Sequence, residues 1–154
     1  MQNPRINEGK KQRLRKEPSY SNQKYPASIL VIDDDITLKP LYEQLLYSIN
    51  PSMQLIWATT DTQAEFYLNE NKDNRFIRYV ITDIFLSGKN TGIDLWKKHA
   101  DSRLKFIFTS IITKEKFSQY FYNEEELPLF FQKPVGVEIC ELLFRELAKT
   151  KRTA

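Results

Sequence analysis

From residue 28 onward the chain alternates short, mostly apolar runs with stretches whose apolar residues recur every three or four positions. The runs are Ile29–Ile32, Met53–Ala58, Phe76–Thr82, Leu104–Thr109 and Leu129–Gln132, rich in aliphatic and aromatic residues and too short for helices. A run without polar alternation predicts a strand covered on both faces, as in a parallel sheet. Parallel neighbours need a crossover of a dozen or more residues, usually a helix. The first crossover shows such a helix, with Leu38, Leu41, Tyr42, Leu45, Leu46 and Ile49 along one face. Five strands alternating with helices predict an α/β, doubly wound parallel sheet with right-handed crossovers and helices on both faces.

Local signals set the element boundaries. Pro40 falls in the first turn of the first helix if Thr37 or Ile36 opens it, and proline is tolerated there. Asn50-Pro51 ends that helix. Thr62 and Glu65 have the spacing of a capping box for a second helix running to about Asn71. Gly92–Ala100 and Thr113–Asn123 predict two more, and Ile139, Leu142, Leu143 and Leu147 the inner stripe of a last one.

Charge divides the chain. Residues 1–27 hold seven Lys/Arg against two acids, net +5, which leaves 16 basic and 18 acidic residues of the totals of 23 and 20, net −2. The basic character belongs to residues 1–26, a polar stretch with Pro4, Pro18 and Pro26 that reads as a disordered tail able to touch nucleic acid or an anionic surface only weakly. Residues 27–150 then form one domain, with 151–154 a short C-terminal tail. No stretch approaches about 18 apolar residues, so no membrane span or signal peptide is expected. The single cysteine, Cys140, excludes an intramolecular disulfide and a thiolate metal cluster. The expected location is the cytoplasm.

Ligands of open parallel sheets bind beyond the carboxyl ends of the strands. Those ends carry Asp33, Asp34 and Asp35 after the first strand, Asp83 after the third, Thr109 and Ser110 at the fourth, and Lys133-Pro134 after the fifth. Carboxylates stacked this way repel; at about 4 Å two charges cost about 4 kcal/mol at an effective dielectric near 20. A cluster of that kind serves a metal, a phosphate reaction or a helix cap. With a hydroxyl and an ammonium on the same edge, it suits a hard divalent ion together with a phosphoryl group.

In these residues the chain resembles the receiver domain of two-component response regulators. That family carries an acidic pair after the first strand, a lone acceptor aspartate after the third, Thr or Ser after the fourth and Lys-Pro after the fifth. Here these are Asp33/Asp34, Asp83, Thr109 and Lys133-Pro134. The resemblance covers about residues 27–150. It implies the flavodoxin-like strand order 2-1-3-4-5 and a phosphorylation-controlled signalling switch rather than an enzyme acting on outside substrates. Asp83 would accept a phosphoryl group from a sensor histidine kinase or a histidine phosphotransfer protein. Mg²⁺ would be held by Asp33, Asp34, Asp83 and the backbone carbonyl of Phe85. Thr109 and Lys133 would bind phosphoryl oxygens, and Phe130, three residues before the lysine, would be the aromatic switch. Lys133-Pro134 suits a cis peptide. A downstream protein would read the face made by the fourth helix, fifth strand and fifth helix, or output would come through a homodimer. The domain is expected to stand alone, with no output module.

The chain departs from the pattern at three places. Ser87 stands where the family usually has proline, Gly92 comes one residue late so that the loop is longer by one, and Ser110 replaces a common alanine. Two alternatives stay open. Asp33-Asp34-Asp35-Ile36-Thr37 also fits the opening motif of haloacid-dehalogenase-type phosphatases, with Asp33 as nucleophile and Asp35 as general acid, although no aspartate follows Asp101 to complete their metal site. A degenerate receiver that only binds partners is the other. Outside the motif, Asp35 reads as support for the first helix's N-terminus, His99 as a surface residue, Cys140 as a small core or interface residue, Trp57 and Trp96 as packing, and Glu124–Glu126 as a solvated turn.

Overall fold

The computed structural model describes residues 27–101, 103–121 and 127–149; the tails read at 1–26 and 151–154 and the turn at 124–126 lie outside them. Five strands, β1 (Ser28–Ile32), β2 (Gln54–Ala58), β3 (Ile77–Asp83), β4 (Lys105–Ser110) and β5 (Leu129–Gln132), form one parallel sheet in the order β2-β1-β3-β4-β5. The crossovers are α1 (Lys39–Ile49), α2 (Asp61–Asn74), α3 (Gly92–His99) and α4 (Lys114–Gln119), and α5 (Val137–Ala148) follows β5. The expected topology is found. Among the described residues no helix is long and apolar enough to cross a membrane.

Each sheet face has its own core, because alternate residues of a strand point to opposite sides. Ile29, Val31, Tyr79, Ile81 and Ile107 pack with α1 and α5 through Tyr42, Leu46, Cys140, Phe144 and Leu147. Leu30, Ile32, Val80, Phe106 and Phe108 pack on the other face with α2, α3 and α4. There Phe108, Phe117 and Phe121 form an aromatic cluster, and Phe130 stacks on Phe117 with centroids 4.4 Å apart and planes 15° apart.

Several local expectations are corrected. The α2 cap is Thr60, whose hydroxyl accepts from the Gln63 amide, and not Thr62; the helix continues to Asn74. The inner stripe of α5 is Cys140, Phe144 and Leu147, with Leu143 partly buried, whereas Ile139 and Leu142 face solvent. His99 is buried, because the last turn of α3 lies against α2 and its Nε2 sits 2.7 Å from Glu65 Oε2. A 3-10 turn, Ile36–Leu38, precedes α1 and leaves Pro40 in the first turn of the α-helix. Asp35 caps that turn, accepting from the Thr37 amide and hydroxyl.

Candidate functional site

The sheet assembles the site by period two. Val31, Ile81, Ile107 and Phe131 all face the α1/α5 core. Two positions farther along the same strands stand Asp33, Asp83, Thr109 and Lys133, carried to the same side and to the same carboxyl-terminal edge. Register aligns them further, since Asp83 is the partner of Thr109 and Thr109 the partner of Phe131.

Lys133 joins the acids. Its Nζ lies 2.7 Å from Asp33 Oδ2 and 2.8 Å from Asp83 Oδ2, linking residues 100 and 50 positions away. Burial pushes the Lys133 ammonium toward deprotonation, but the hydrogen bonds and charges of Asp33 and Asp83 outweigh it and raise its pKa above the ordinary lysine value. Backbone contacts hold both ends of the bridge. Asp33 donates its amide to Ala58 O at 3.0 Å and accepts the Trp57 indole N–H on its carbonyl at 2.9 Å. Lys133 donates its amide to Ser110 O at 2.8 Å, and the Lys133–Pro134 peptide is cis.

Asp34 completes a trio. One carboxylate oxygen from each of Asp33, Asp34 and Asp83 lies within 4.8 Å of the others, in a gradient from buried Asp33 to exposed Asp34. Such a set of hard oxygen donors fits Mg²⁺, which prefers carboxylates and water. The Phe85 amide faces Asp83 Oδ1 at 3.4 Å, which puts residue 85 beside that carboxylate; its side chain is half exposed. Thr109 is buried at the strand end, and Phe130 is partly buried on the opposite face. Asp35 stands apart, its carboxylate engaged by Thr37. A groove of about 390 Å³ opens next to the bridge, walled by Leu38, Leu41, Ile111 and Val135.

Sequence reasoning missed three supports. Trp57 was read as packing alone, yet its indole N–H pins the Asp33 carbonyl. Gly92 stands out in the sequence only as displaced; a Cβ there would lie 2.1 Å from the Asp83 carbonyl oxygen, so glycine lets α3 start directly beneath Asp83. Asp61 drew no notice, although it gathers the loop that follows Asp83. Its one sequence signal was an acid at the start of a helix, which is too common to stand out.

Among the solved structures that the chain resembles are many receiver domains of response regulators. They include the signal receiver domain of a DNA-binding response regulator (merR) from Colwellia psychrerythraea 34H, 21% identical over 79% of this chain and 98% of that one, with a TM-score of 0.62. A two-component response regulator from Clostridium difficile is 17% identical over 80% and 97%, at 0.63. The non-phosphorylated HemR receiver domain from Leptospira biflexa is 22% identical over 83% and 98%, at 0.61. No protein-family model matches the chain, and no curated protein does either. The fold is therefore that of the receiver domain.

Proposed function

We propose that this domain is a phosphorylation-controlled signalling switch in which Asp83 accepts a phosphoryl group from a phosphohistidine of a sensor kinase or phosphotransfer protein. The observation that carries the reading is the Lys133 ammonium held between Asp33 and Asp83, with Asp34 beside them. Asp83 presents a carboxylate oxygen to phosphorus; the new O–P bond forms as the P–N bond to the donor imidazole breaks. In this reading Lys133 follows the negative charge from the carboxylate to the phosphoryl oxygens, and Thr109 bonds another of them. Asp33, Asp34, Asp83 and the Phe85 carbonyl would hold Mg²⁺, which when bound neutralises carboxylate charge and screens the incoming phosphoryl group.

The switch reading places Phe130 at the output. Its stacking on Phe117 ties β5 to α4, so a change at Thr109 that alters the Phe130 rotamer moves the α4–β5–α5 face. Tyr120, Leu129, Ile139 and Leu142 expose apolar surface on these elements, which suits a downstream protein or a second copy of the chain. The domain acts on itself, through phosphorylation and dephosphorylation, and a cytoplasmic setting follows from a kinase partner. The phosphatase alternative fits less well, since the general acid it needs, Asp35, is committed to the turn before α1.

Mass spectrometry after treatment with acetyl phosphate and Mg²⁺ tests the proposal. One base-labile phosphoryl group is expected, absent from Asp83→Asn. Label that survives Asp83→Asn but vanishes in Asp33→Asn overturns it in favour of the phosphatase chemistry. No label, together with no thermal shift by Mg²⁺, leaves a module that only binds partners.

A further inference from the structure

The loop between Asp83 and α3 is held from outside by one buried carboxylate. Asp61, the first residue of α2, is 6% exposed. Its Oδ2 accepts the Lys89 amide at 3.2 Å, the Asn90 amide at 3.0 Å and the Asn90 side-chain N–H at 3.2 Å, while Oδ1 accepts the Thr62 amide at 2.9 Å. The Asp61 amide reaches Ser87 O at 3.4 Å, and Thr60 forms a parallel bridge with Ser87. These hydrogen bonds, that of the Asn90 amide foremost, hold the Asp61 carboxyl below the ordinary carboxylate range, so it is charged at neutral pH.

Gly88 is shaped to this carboxylate. Its φ of +129° lies where side chains are rarely found, and a Cβ there would stand 1.9 Å from Asp61 Oδ1. At the other end of the loop the Gly92 amide donates to Ile84 O at 2.8 Å. Phe85 and Leu86 are thus strung between two anchors, one at the acceptor strand and one at Asp61. Helix capping alone does not account for the arrangement. Asp61 does bond an amide of its own helix, but three further donors come from residues 28 and 29 positions downstream.

We propose that Asp61 is a positioning residue for phosphoryl acceptance: its carboxylate fixes the Phe85–Asn90 loop so that the Phe85 carbonyl and ring keep one place beside Asp83. The inference rests on the phosphoacceptor reading and adds to it a control point on α2, away from the reacting atoms. It also explains how a loop with Ser87 in place of a rigid proline stays ordered.

The test compares the full chain with Asp61→Ala, Gly88→Ala, and Asn71→Ala as a control that weakens the far end of β3, where Asn71 bonds both the N–H and the C=O of Ile77. Labelling rate from acetyl phosphate and Mg²⁺ affinity are measured well below every variant's melting temperature. Since about 1 Å of misplacement can cost about 10²-fold, a loss of roughly tenfold in labelling rate is expected for Asp61→Ala and Gly88→Ala, with weaker Mg²⁺ binding. Asn71→Ala should label at the wild-type rate despite a lower melting temperature. Wild-type rates in folded Asp61→Ala, or equal slowing in Asn71→Ala, overturn the inference while leaving the acceptor reading intact. A wild-type chain that takes no label overturns both.

Discussion

Replacing Lys133 by methionine keeps the aliphatic stem and removes the ammonium that lies 2.7 Å from Asp33 and 2.8 Å from Asp83. The two carboxylates are left within 4.8 Å of each other, where at an effective dielectric near 20 their repulsion is roughly 3.5 kcal/mol. Water helps little, because the side chains of Asp33 and Asp83 are only 6% and 13% exposed. Breaking a buried pair by removing one partner costs about 3–5 kcal/mol. Lys133 is 23% exposed, so the lower end applies, about 3 kcal/mol, or on the order of 10 °C in melting temperature. A divalent cation can stand in for the missing charge. The loss should therefore shrink as Mg²⁺ is added, and the variant should bind Mg²⁺ more tightly than wild type, in which the ammonium competes for the same oxygens. Urea unfolding with and without Mg²⁺, followed by tryptophan fluorescence, measures both effects; Trp57 reports directly because its indole bonds Asp33. The pH dependence carries the same sign. The Lys133 pKa is raised on folding, so its contribution is present below its ordinary value of 10.5 and fades as pH rises through the higher folded value. Wild-type stability of Lys133→Met without Mg²⁺, or weaker Mg²⁺ binding, would refute the reasoning.

Three further outcomes follow from single contacts. Gly92→Ala forces a Cβ to 2.1 Å from the Asp83 carbonyl, so a loss of about 2 kcal/mol or more is expected in urea melts, together with slower labelling. Ser110→Ala removes a fully buried hydroxyl that has no hydrogen-bond partner among the described residues, and should stabilise the domain by about 1 kcal/mol. Burial pushes the Glu65 carboxyl up, but hydrogen bonds from His99 and Lys98 outweigh it and hold the pKa below the ordinary 4.5. Its contribution is present above that value and lost as pH falls through the lower folded one, so Glu65→Gln should flatten the decline in melting temperature on acidification below pH 4.5.

The strands could be read from sequence because parallel strands are apolar on both faces and need no partner to be recognised. Their ends then placed Asp33, Asp83, Thr109 and Lys133, and the sheet brought them to one edge. Helix faces were harder. For α5 the aliphatic residues, Ile139 and Leu142 among them, suggest one stripe, whereas the buried set is Cys140, Phe144 and Leu147. Positions 140, 143, 144 and 147 fit the helical repeat well; what misled was leaving cysteine and phenylalanine out of it. His99 and Asp61 could not be placed from spacing at all. Their environments are set by Glu65, 34 positions away, and by Lys89 and Asn90, 28 and 29 positions away, and no local pattern announces such a meeting.

The bridge from Lys133 to residues 50 and 100 positions earlier has a consequence for how the chain matures. Its three members stand at the carboxyl ends of the first, third and fifth strands, and β1 lies inside the sheet with β2 and β3 on either side. A nascent chain that has released only its first hundred residues holds the three aspartates but lacks Lys133, the ammonium that balances them. The last strand must dock before the acids acquire their counter-charge, and until then their repulsion opposes closure of that edge. The charge-balanced site is therefore complete only once β5 has docked, and a chain that ends before residue 133 leaves Asp33 and Asp83 facing each other without their ammonium.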